Sequence, residues 1–318
     1  MKLETRWHLS RLRAELASLE AVEKASAARA VGKSDEGDRI AADLRKLLID
    51  DWALASRQAL DEVASLLDRD GALTLADTER ILDLVADGLG TQFPQSVADD
   101  LGGYLRDAYE LSMVELVEAA LADGILDVDD VGDVAEWARA VFDTRALGWI
   151  EEHHSYWVGR HYDDALSAKV LDLVQLALSD GLSRRDMGVL FEAEMGEQFG
   201  RSLRYWENFA NHATTRSQEF GRVDGYVAAG VTRYRIAAVM DERTSDVCRA
   251  LNGKVFEVSD AVAWRERIIE AGDPEAIKEL APWPSAEQAE LSEAELTELG
   301  VLMSPFHFGC RTRTVLDG

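Results

Sequence analysis

The stretch VTRYRIAAVMDERTSDVCRALNGKVFE, residues 231–257, is where the amino-acid pattern of the chain changes. Its first part is rich in β-branched and aromatic side chains, which predicts a β-strand. Asn252-Gly253 is a pair typical of a tight turn, and KVFEV after it predicts a second short strand. The alternating segment RTRTVL, residues 311–316, predicts a third. We therefore expect a short antiparallel sheet in the C-terminal part.

The chain before residue 230 predicts one helix after another. Ile40, Leu44 and Leu48, for example, recur at helical spacing and mark an apolar face. Phe93-Pro94 predicts a break between two helices, and Gly200 predicts another. The fold class is therefore mainly α, with a large helical N-terminal region, residues 1–180, and a small α+β domain, residues 181–318. A helical, acidic insert is expected at about residues 260–300.

The chain is long and acidic. Its 318 residues, 47% of them hydrophobic, suffice for two domains with cores of their own. A net charge of −26 disfavours nucleic-acid binding, because phosphate contact needs Lys and Arg. Residues 201–254 differ, with nine Lys and Arg against six Asp and Glu. No stretch reaches the roughly 18 apolar residues of a membrane helix and no signal peptide is evident, so we expect a soluble, cytoplasmic protein without a membrane partner.

Cys248 and Cys310 are the only cysteines of the chain. His307 and Cys310 are separated by two residues, a spacing that lets both side chains reach one ion from a tight turn. With Cys248 as a third ligand, a tetrahedral Zn²⁺ needs one more, and Asp241 or Asp246 offers a carboxylate. The alternative is that the two cysteines are small core residues packed near one another, with His307 hydrogen-bonded to a carboxylate. The residues alone leave both interpretations open.

Asp241 also has a structural interpretation. An Asp followed by Arg and Thr at the end of a strand can close a turn in which the carboxylate accepts backbone N–H groups. Arg243 and Arg311 can each form an ion pair with Asp241 or Asp246. We therefore expect this segment to act as a scaffold. No nucleophile with an obvious base beside it is evident, so we expect no enzymatic activity.

The segments around the cysteines resemble a known family. They are DERTSDVCRALNGKVF, residues 241–256, and SPFHFGCRTRTVL, residues 304–316. Bacteriophage head-morphogenesis proteins that are similar to the F protein of phage Mu have an Asp-x-Arg-Thr-Cys-x-x-Cys block, then Leu-x-Gly-Lys, then Pro-x-His-Pro-x-Cys-Arg-Cys. Besides Cys248, His307 and Cys310, the matching positions here are Asp241, Arg243, Thr244, Leu251, Gly253, Pro305 and Arg311. The resemblance covers about residues 180–318.

Three positions depart from the family pattern. Ser245 stands where the family often has its first Cys, and Thr312 stands where it often has its last. Phe308 replaces the Pro that follows the His. The family pattern resembles a cation site of Cys and His ligands, and half of its thiols are missing from this chain.

The resemblance implies a minor head protein that joins the procapsid near the portal vertex and acts by protein–protein binding. The expected partners are the portal protein, the scaffold or the major capsid protein, with residues 1–180 as the partner-binding region. The expected cofactor is Zn²⁺ or none. The resemblance also implies a phage or prophage gene, and a protein found in the host cytoplasm during assembly and in the head of the virion.

Two other functions compete with this one. Residues 201–222 carry several arginines and two aromatic residues, the types that contact phosphates and stack on bases, so a DNA-binding accessory protein of the head is an alternative. An enzyme or toxin-type effector with an unfamiliar motif is another. Finally, His154 and His161 are expected to share the face of an interface helix, with a metal site as the alternative.

Overall fold

The structure is a computed structural model that describes residues 35–127 and 131–317. The helix predicted before residue 35 lies outside the described residues. The first series of helices is α1 (Asp35–Leu67), α2 (Leu75–Asp87), α3 (Phe93–Ala122), α4 (Val134–Val141), α5 (Thr144–Tyr162), α6 (Ala168–Ser179) and α7 (Arg184–Ala228). The remaining elements are β1 (Arg233–Ala237), α8 (Asp246–Leu251), β2 (Val255–Glu257), α9 (Val258–Ala271), α10 (Ile277–Leu280), α11 (Ala286–Ala289), α12 (Glu293–Leu299) and β3 (Arg313–Leu316).

The three strands form one antiparallel sheet in the order β2-β1-β3. In the register of this sheet, Tyr234 of β1 pairs with Phe256 of β2 and with Leu316 of β3. The helical insert expected between the second and third strands is present as α9 to α12. The predicted fold class, mainly α with a short antiparallel sheet near the C-terminus, is confirmed.

The helix break predicted at Phe93-Pro94 is wrong. Gly88–Gln92 forms a π-helical turn, and α2 continues through it into α3. Phe93 N donates to Gly88 O, the i→i+5 bond of such a turn. The wider turn accommodates Pro94, which has no N–H and whose ring would clash with a carbonyl of a regular helix.

The break predicted at Gly200 is also wrong, because α7 is one helix of 45 residues. A glycine inside a helix costs only about 1 kcal/mol relative to alanine. Phe199 and Leu203, which flank it, are almost fully buried, so packing holds the backbone helical on both sides. Tertiary contacts therefore override the local preference.

The described chain divides into two compact units, each built from segments that are separate in sequence. Unit 1 comprises residues 46–99 and 155–207, and unit 2 comprises residues 35–45, 100–154 and 208–317. The boundary predicted at residues 180/181 lies between α6 and α7, within a segment of unit 1. No helix in the described ranges combines the length and apolarity needed to span a membrane.

An aromatic cluster lies in the core of unit 1. Trp52 is fully buried, and its ring centroid lies 5.1 Å from that of Phe93, 6.2 Å from Phe199 and 5.4 Å from Trp206. Trp52 Nε1 donates to Phe199 O at 3.3 Å, which satisfies the one polar atom of the indole.

In unit 2, the second half of α7 packs against the sheet. Glu219 is fully buried, and its carboxylate accepts from Thr314 N at 3.2 Å and from Thr314 Oγ1 at 2.7 Å. The ring of Tyr226 stacks on that of Tyr234 in β1 at 5.5 Å, and its hydroxyl lies 3.0 Å from Thr314 Oγ1 in β3. These contacts hold β1 and β3, the strands that precede and follow the candidate site in the chain, against one helix.

Candidate metal centre

Cys248 is positioned by a short, capped helix. It lies in the first turn of α8, and Ser245 is the N-cap whose Oγ accepts from Cys248 N at 3.2 Å. Cys248 and Leu251 are both buried and anchor this helix in unit 2. The capping hydrogen bond fixes the start of the helix, and with it the direction of the Cys248 side chain.

A tight turn ties α8 to the sheet, as the Asn252-Gly253 pair predicts. Lys254 N donates to Leu251 O at 3.1 Å, and Gly253 has a φ of +87°, which residues with a side chain rarely adopt. Gly253 N then donates to Ile236 O of β1 at 2.8 Å. The turn therefore places Cys248 at a fixed distance from the central strand.

His307 and Cys310 lie on a second tight turn, just before β3. Cys310 N donates to His307 O at 3.3 Å, and Gly309 between them has a φ of +68°. Pro305 and Phe306 are buried and hold the turn in the core of unit 2. Both side chains of the His-x-x-Cys motif can therefore point to the same side of the turn.

The structure brings these three side chains together. Cys248 Sγ lies 3.2 Å from His307 Nε2 and 3.8 Å from Cys310 Sγ, and the three potential ligand atoms all lie within 4.8 Å of one another. Cys248 and Cys310 are only 4% and 2% exposed, and His307 is half-buried. Cys248, His307 and Cys310 can therefore hold one metal ion, and they are the only such group in the ranges that the structure describes.

The tautomer of His307 suits a ligand. His307 Nδ1 lies 2.6 Å from Phe308 O, so the ring donates its Nδ1 proton to this carbonyl. In the neutral ring Nε2 then carries a lone pair, and Nε2 is the atom that faces Cys248. Metal-binding histidines commonly have such a hydrogen bond from the other ring nitrogen.

When no metal is bound, the electrostatics of the group favour a negative sulfur beside a protonated ring, whose Nε2 then donates to Cys248. The contact with Cys310 is the main cause that lowers the pKa of Cys248, and hydrogen bonds from His307, Ser245 and Thr312 add to it against the effect of burial. The same contact raises the pKa of Cys310. The hydrogen bond with Cys248 raises the pKa of His307. One proton leaves the thiol pair far more readily than the second.

The two positions at which the family often has further cysteines also face this group. Ser245 Oγ lies 3.0 Å from His307 Nε2, and Thr312 is buried and its side chain helps to lower the pKa of Cys248. Sequence reasoning treated Ser245 and Thr312 only as departures from the family pattern and missed that their hydroxyls line the site. The Ser-Asp pair at the start of α8 is the signal for Ser245, because it is typical of a helix N-cap.

Asp241, the predicted fourth ligand, does not join the group. Its two carboxylate oxygens accept from Arg311 Nη1 at 2.8 Å and from Arg311 Nη2 at 2.6 Å. This hydrogen-bonded ion pair is the main cause that holds the pKa of Asp241 well below its usual range. Asp246, the other candidate, is likewise not part of the group.

The remaining signature residues close the turn before α8. Arg243 N donates to Asp241 Oδ1 at 2.9 Å, and Asp241 N donates to Thr244 Oγ1 at 2.8 Å. Of the ion pairs expected here, that between Asp241 and Arg311 forms, and none is found between Arg243 and either Asp241 or Asp246, all of which the structure describes. This part of the motif holds the backbone from which Ser245 and Cys248 project.

The histidines of α5 make contacts of their own. His154 is buried in unit 2, and its Nδ1 donates to Ile150 O at 2.7 Å. His161 is buried in unit 1, where its Nε2 lies 3.0 Å from Ser202 Oγ and its ring stacks on Tyr205 at 4.1 Å. Neither belongs to a group of three potential ligands among the described residues.

The Arg-rich segment offers less basic surface than its sequence suggests. Arg201 and Arg204 are exposed, but Arg216 and Arg222 are only 5% and 6% exposed. Trp206 is fully buried. Of the four arginines that the DNA-binding alternative requires, only Arg201 and Arg204 are therefore available for phosphate contact. The indole of Trp206 is not available for base stacking.

Comparison with family models, curated proteins and solved structures gives no match to this chain.

Proposed function

We propose that this protein is a minor head protein of the phage Mu F type, which acts in head assembly by binding other proteins and not by catalysis. In this proposal a zinc ion at Cys248, His307 and Cys310 cross-links its C-terminal part. One observation carries the proposal. All five positions at which the family pattern has Cys or His, residues 245, 248, 307, 310 and 312, meet at one place in unit 2.

This convergence supports the family resemblance in a way that the motif alone does not. The positions come from two segments about 60 residues apart in the chain. A chance match of short motifs would leave them no reason to lie together. The hydroxyls of Ser245 and Thr312 take the places in which the family has thiols, so the chain keeps the shape of the site with fewer ligands.

The spacing of the three ligand atoms supports zinc. Zn–S bonds of about 2.3 Å at the tetrahedral angle separate two sulfurs by about 3.8 Å, and a sulfur and a nitrogen by about 3.6 Å. The corresponding distances here are 3.8 Å between Cys248 Sγ and Cys310 Sγ, and 3.2 Å between Cys248 Sγ and His307 Nε2. For these two pairs zinc would need a shift of only a few tenths of an ångström, and the third pair, Cys310 Sγ and His307 Nε2, lies within 4.8 Å. Two thiolates and an imidazole are also ligand types that zinc prefers.

Burial favours a structural role for the cysteines over a nucleophilic one. A reactive thiol is usually partly exposed, so that a substrate can reach it. Cys248 and Cys310 are nearly inaccessible, although Cys248 lies close to a histidine as in cysteine hydrolases. Ion binding needs no such access once the segment has folded around the ion.

Metal analysis of the purified full-length chain tests the metal part. We expect about one zinc per chain, and with Co²⁺ a thiolate charge-transfer band with the visible bands of tetrahedral coordination. Cys310→Ser should lose both, and Asp241→Asn should keep both, because Asp241 is held by Arg311. Zinc content that is unchanged in Cys310→Ser, or absent from the wild type, would refute the metal site.

Copurification tests the assembly part separately. The tagged chain, expressed with the portal, scaffold and capsid genes of the same genome, should be recovered with one of their products and should be present in purified heads. The Cys310→Ser variant should fold less stably and enter fewer heads. A chain that binds zinc but is absent from heads and from all three complexes would overturn the assembly role and leave the metal site intact.

A further inference from the structure

Arg216 is a buried cation without a hydrogen-bonded partner. It is only 5% exposed, its Nη1 has no hydrogen-bond partner, and no ion pair of Arg216 is found within the described ranges. Its guanidinium carbon lies 5.6 Å from the ring centroid of Trp264, a contact to the face of an aromatic ring. A ring face leaves the in-plane N–H donors of the guanidinium unsatisfied.

The carboxylate that acts on Arg216 is already engaged. Glu219, one turn further along α7, and to a lesser degree Cys310 raise the pKa of Arg216. The oxygens of Glu219, however, accept from Arg222 Nη1 at 2.6 Å and from Thr314 Oγ1 at 2.7 Å. Burial lowers the pKa of Arg216 to about 10, so the guanidinium remains charged at neutral pH. A buried charge in this state is costly unless something else pairs with it.

Two histidines of unit 2 have unsatisfied ring nitrogens in the same region. His154 Nδ1 donates to Ile150 O, so Nε2 of the neutral ring carries a lone pair, and this Nε2 is buried without a partner. His212 lies one turn before Arg216 on α7, and its buried Nδ1 has no partner either. The rings of His154 and His212 are 6.4 Å apart, and the charge of Arg216 acts on both.

We propose that Arg216 and His154 bind a small, protonated oxyanion of the hydrogen phosphate class. Its unprotonated oxygens accept hydrogen bonds from the guanidinium and neutralise the buried charge. Its O–H group donates to the Nε2 lone pair of His154. A dihydrogen phosphate ion has both unprotonated oxygens that accept and O–H groups that donate, whereas sulfate at neutral pH has no O–H group.

The surroundings favour a small free ion over a larger ligand. His212 is half-buried, and its ring contacts those of Trp283 at 6.0 Å and Phe308 at 5.5 Å. Trp283 and Phe308 are 48% and 38% exposed, so the rings that contact His212 lie at the surface of unit 2. A guanidinium that is only 5% exposed is not accessible to a nucleic-acid backbone, so the proposed ligand is a single small ion.

Phosphate titration of the full-length chain at constant ionic strength tests the site. At ten times its dissociation constant, phosphate should raise the Tm by about 2 °C for a chain of this length. Arg216→Met should abolish the rise, whereas Arg204→Met, which removes an exposed arginine of the same helix, should keep it. Sulfate should bind about three- to tenfold more weakly than phosphate, because it lacks one hydrogen bond.

A second measurement needs no variant and applies if Arg216→Met does not fold. The ³¹P line width of phosphate should broaden with the wild-type chain and saturate at one site per chain. A wild type with no Tm shift and no broadening would show that the region holds water only, and would overturn the proposal. Equal Tm shifts in wild type and Arg216→Met would overturn it as well, and equal affinity for sulfate would refute the role of His154.

Discussion

Gly221 of α7 lies in tight contact with α3 in unit 2. A Cβ built on Gly221 would lie 2.4 Å from Tyr109 O and 2.4 Å from Ser112 Oγ. Real Cβ contacts essentially never fall below 3.0 Å, so Gly221→Ala must move the two helices apart by at least 0.6 Å. The obstructing carbonyl is backbone and cannot turn away as a flexible side chain would.

The expected loss of stability follows from two opposing effects. Overpacking of a well-packed contact costs about 1–3 kcal/mol, and a clash with backbone belongs at the upper end of this range. The alanine recovers about 1 kcal/mol because it has a higher helix propensity than glycine. We therefore expect Gly221→Ala to lower the free energy of unfolding by about 2 kcal/mol.

Gly103 supplies the matched control. It lies on α3 in the same unit and is exposed, and a methyl group added to it would have no neighbouring atom within 4 Å. Gly103→Ala should therefore stabilise the protein by up to about 1 kcal/mol. Urea unfolding followed by circular dichroism compares the midpoints at unchanged slope. If Gly221→Ala is as stable as the wild type, or shifts the midpoint in the same direction as Gly103→Ala, the close contact between the two helices does not limit the size of residue 221.

Three further expectations concern unit 2 and the candidate site. Asp224 is buried and accepts from Arg265 Nη1 at 2.6 Å; Asp224→Ala should cost about 3–5 kcal/mol in urea unfolding, because the buried guanidinium loses its closest carboxylate and keeps only the longer 3.5 Å contact with Asp143. Burial lowers the pKa of His154 from 6.5 to about 4, so its neutral form contributes stability above pH 6.5 that is lost as the pH falls to 4. The slope should be about 1.4 kcal/mol per pH unit over that window, and His154→Phe should flatten the measured profile by that amount. Ser245→Cys should tighten zinc binding in a chelator competition, because the new thiol can complete a four-ligand site, whereas Ser245→Ala should cost about 1 kcal/mol through loss of the N-cap.

The sequence predicted the type of most elements but not their continuity. The β-branched segment at 231–240 and the Asn252-Gly253 turn predicted the sheet, because strand and turn preferences depend on the residues of the segment itself. Pro94 and Gly200 are local helix breakers as well, yet both lie inside continuous helical structure. A π turn absorbs the proline, and buried neighbours hold the glycine. Neither compensation can be read from the residues themselves.

The part of the candidate site that lies on one local turn was predictable from the sequence. The His-x-x-Cys turn is local, so its spacing predicted that His307 and Cys310 act together. The short distance between Cys248 and the turn with His307 and Cys310 depends on the pairing of β1 with both other strands, and this pairing cannot be read from the local sequence. Asp241 was predicted as a ligand by residue type alone. In the structure Arg311 competes for the same oxygens and holds them with two hydrogen bonds.

The position of the site in the chain explains what an ion can do there. Cys248 precedes β2, whereas His307 and Cys310 precede β3, and the whole insert from α9 to α12 lies between them. A cross-link between Cys248 and Cys310 closes a loop of 62 residues. The loop-closure model gives such a link about 4 kcal/mol through the restriction of the unfolded chain. Without a metal, the hydrogen-bonded thiols and imidazole hold the same segments by contacts that are each worth about 1 kcal/mol. Bound zinc would therefore contribute chiefly by preventing the insert and β3 from separating from the sheet. This role needs the ion to be held but does not require Cys or His at all five positions of the family pattern.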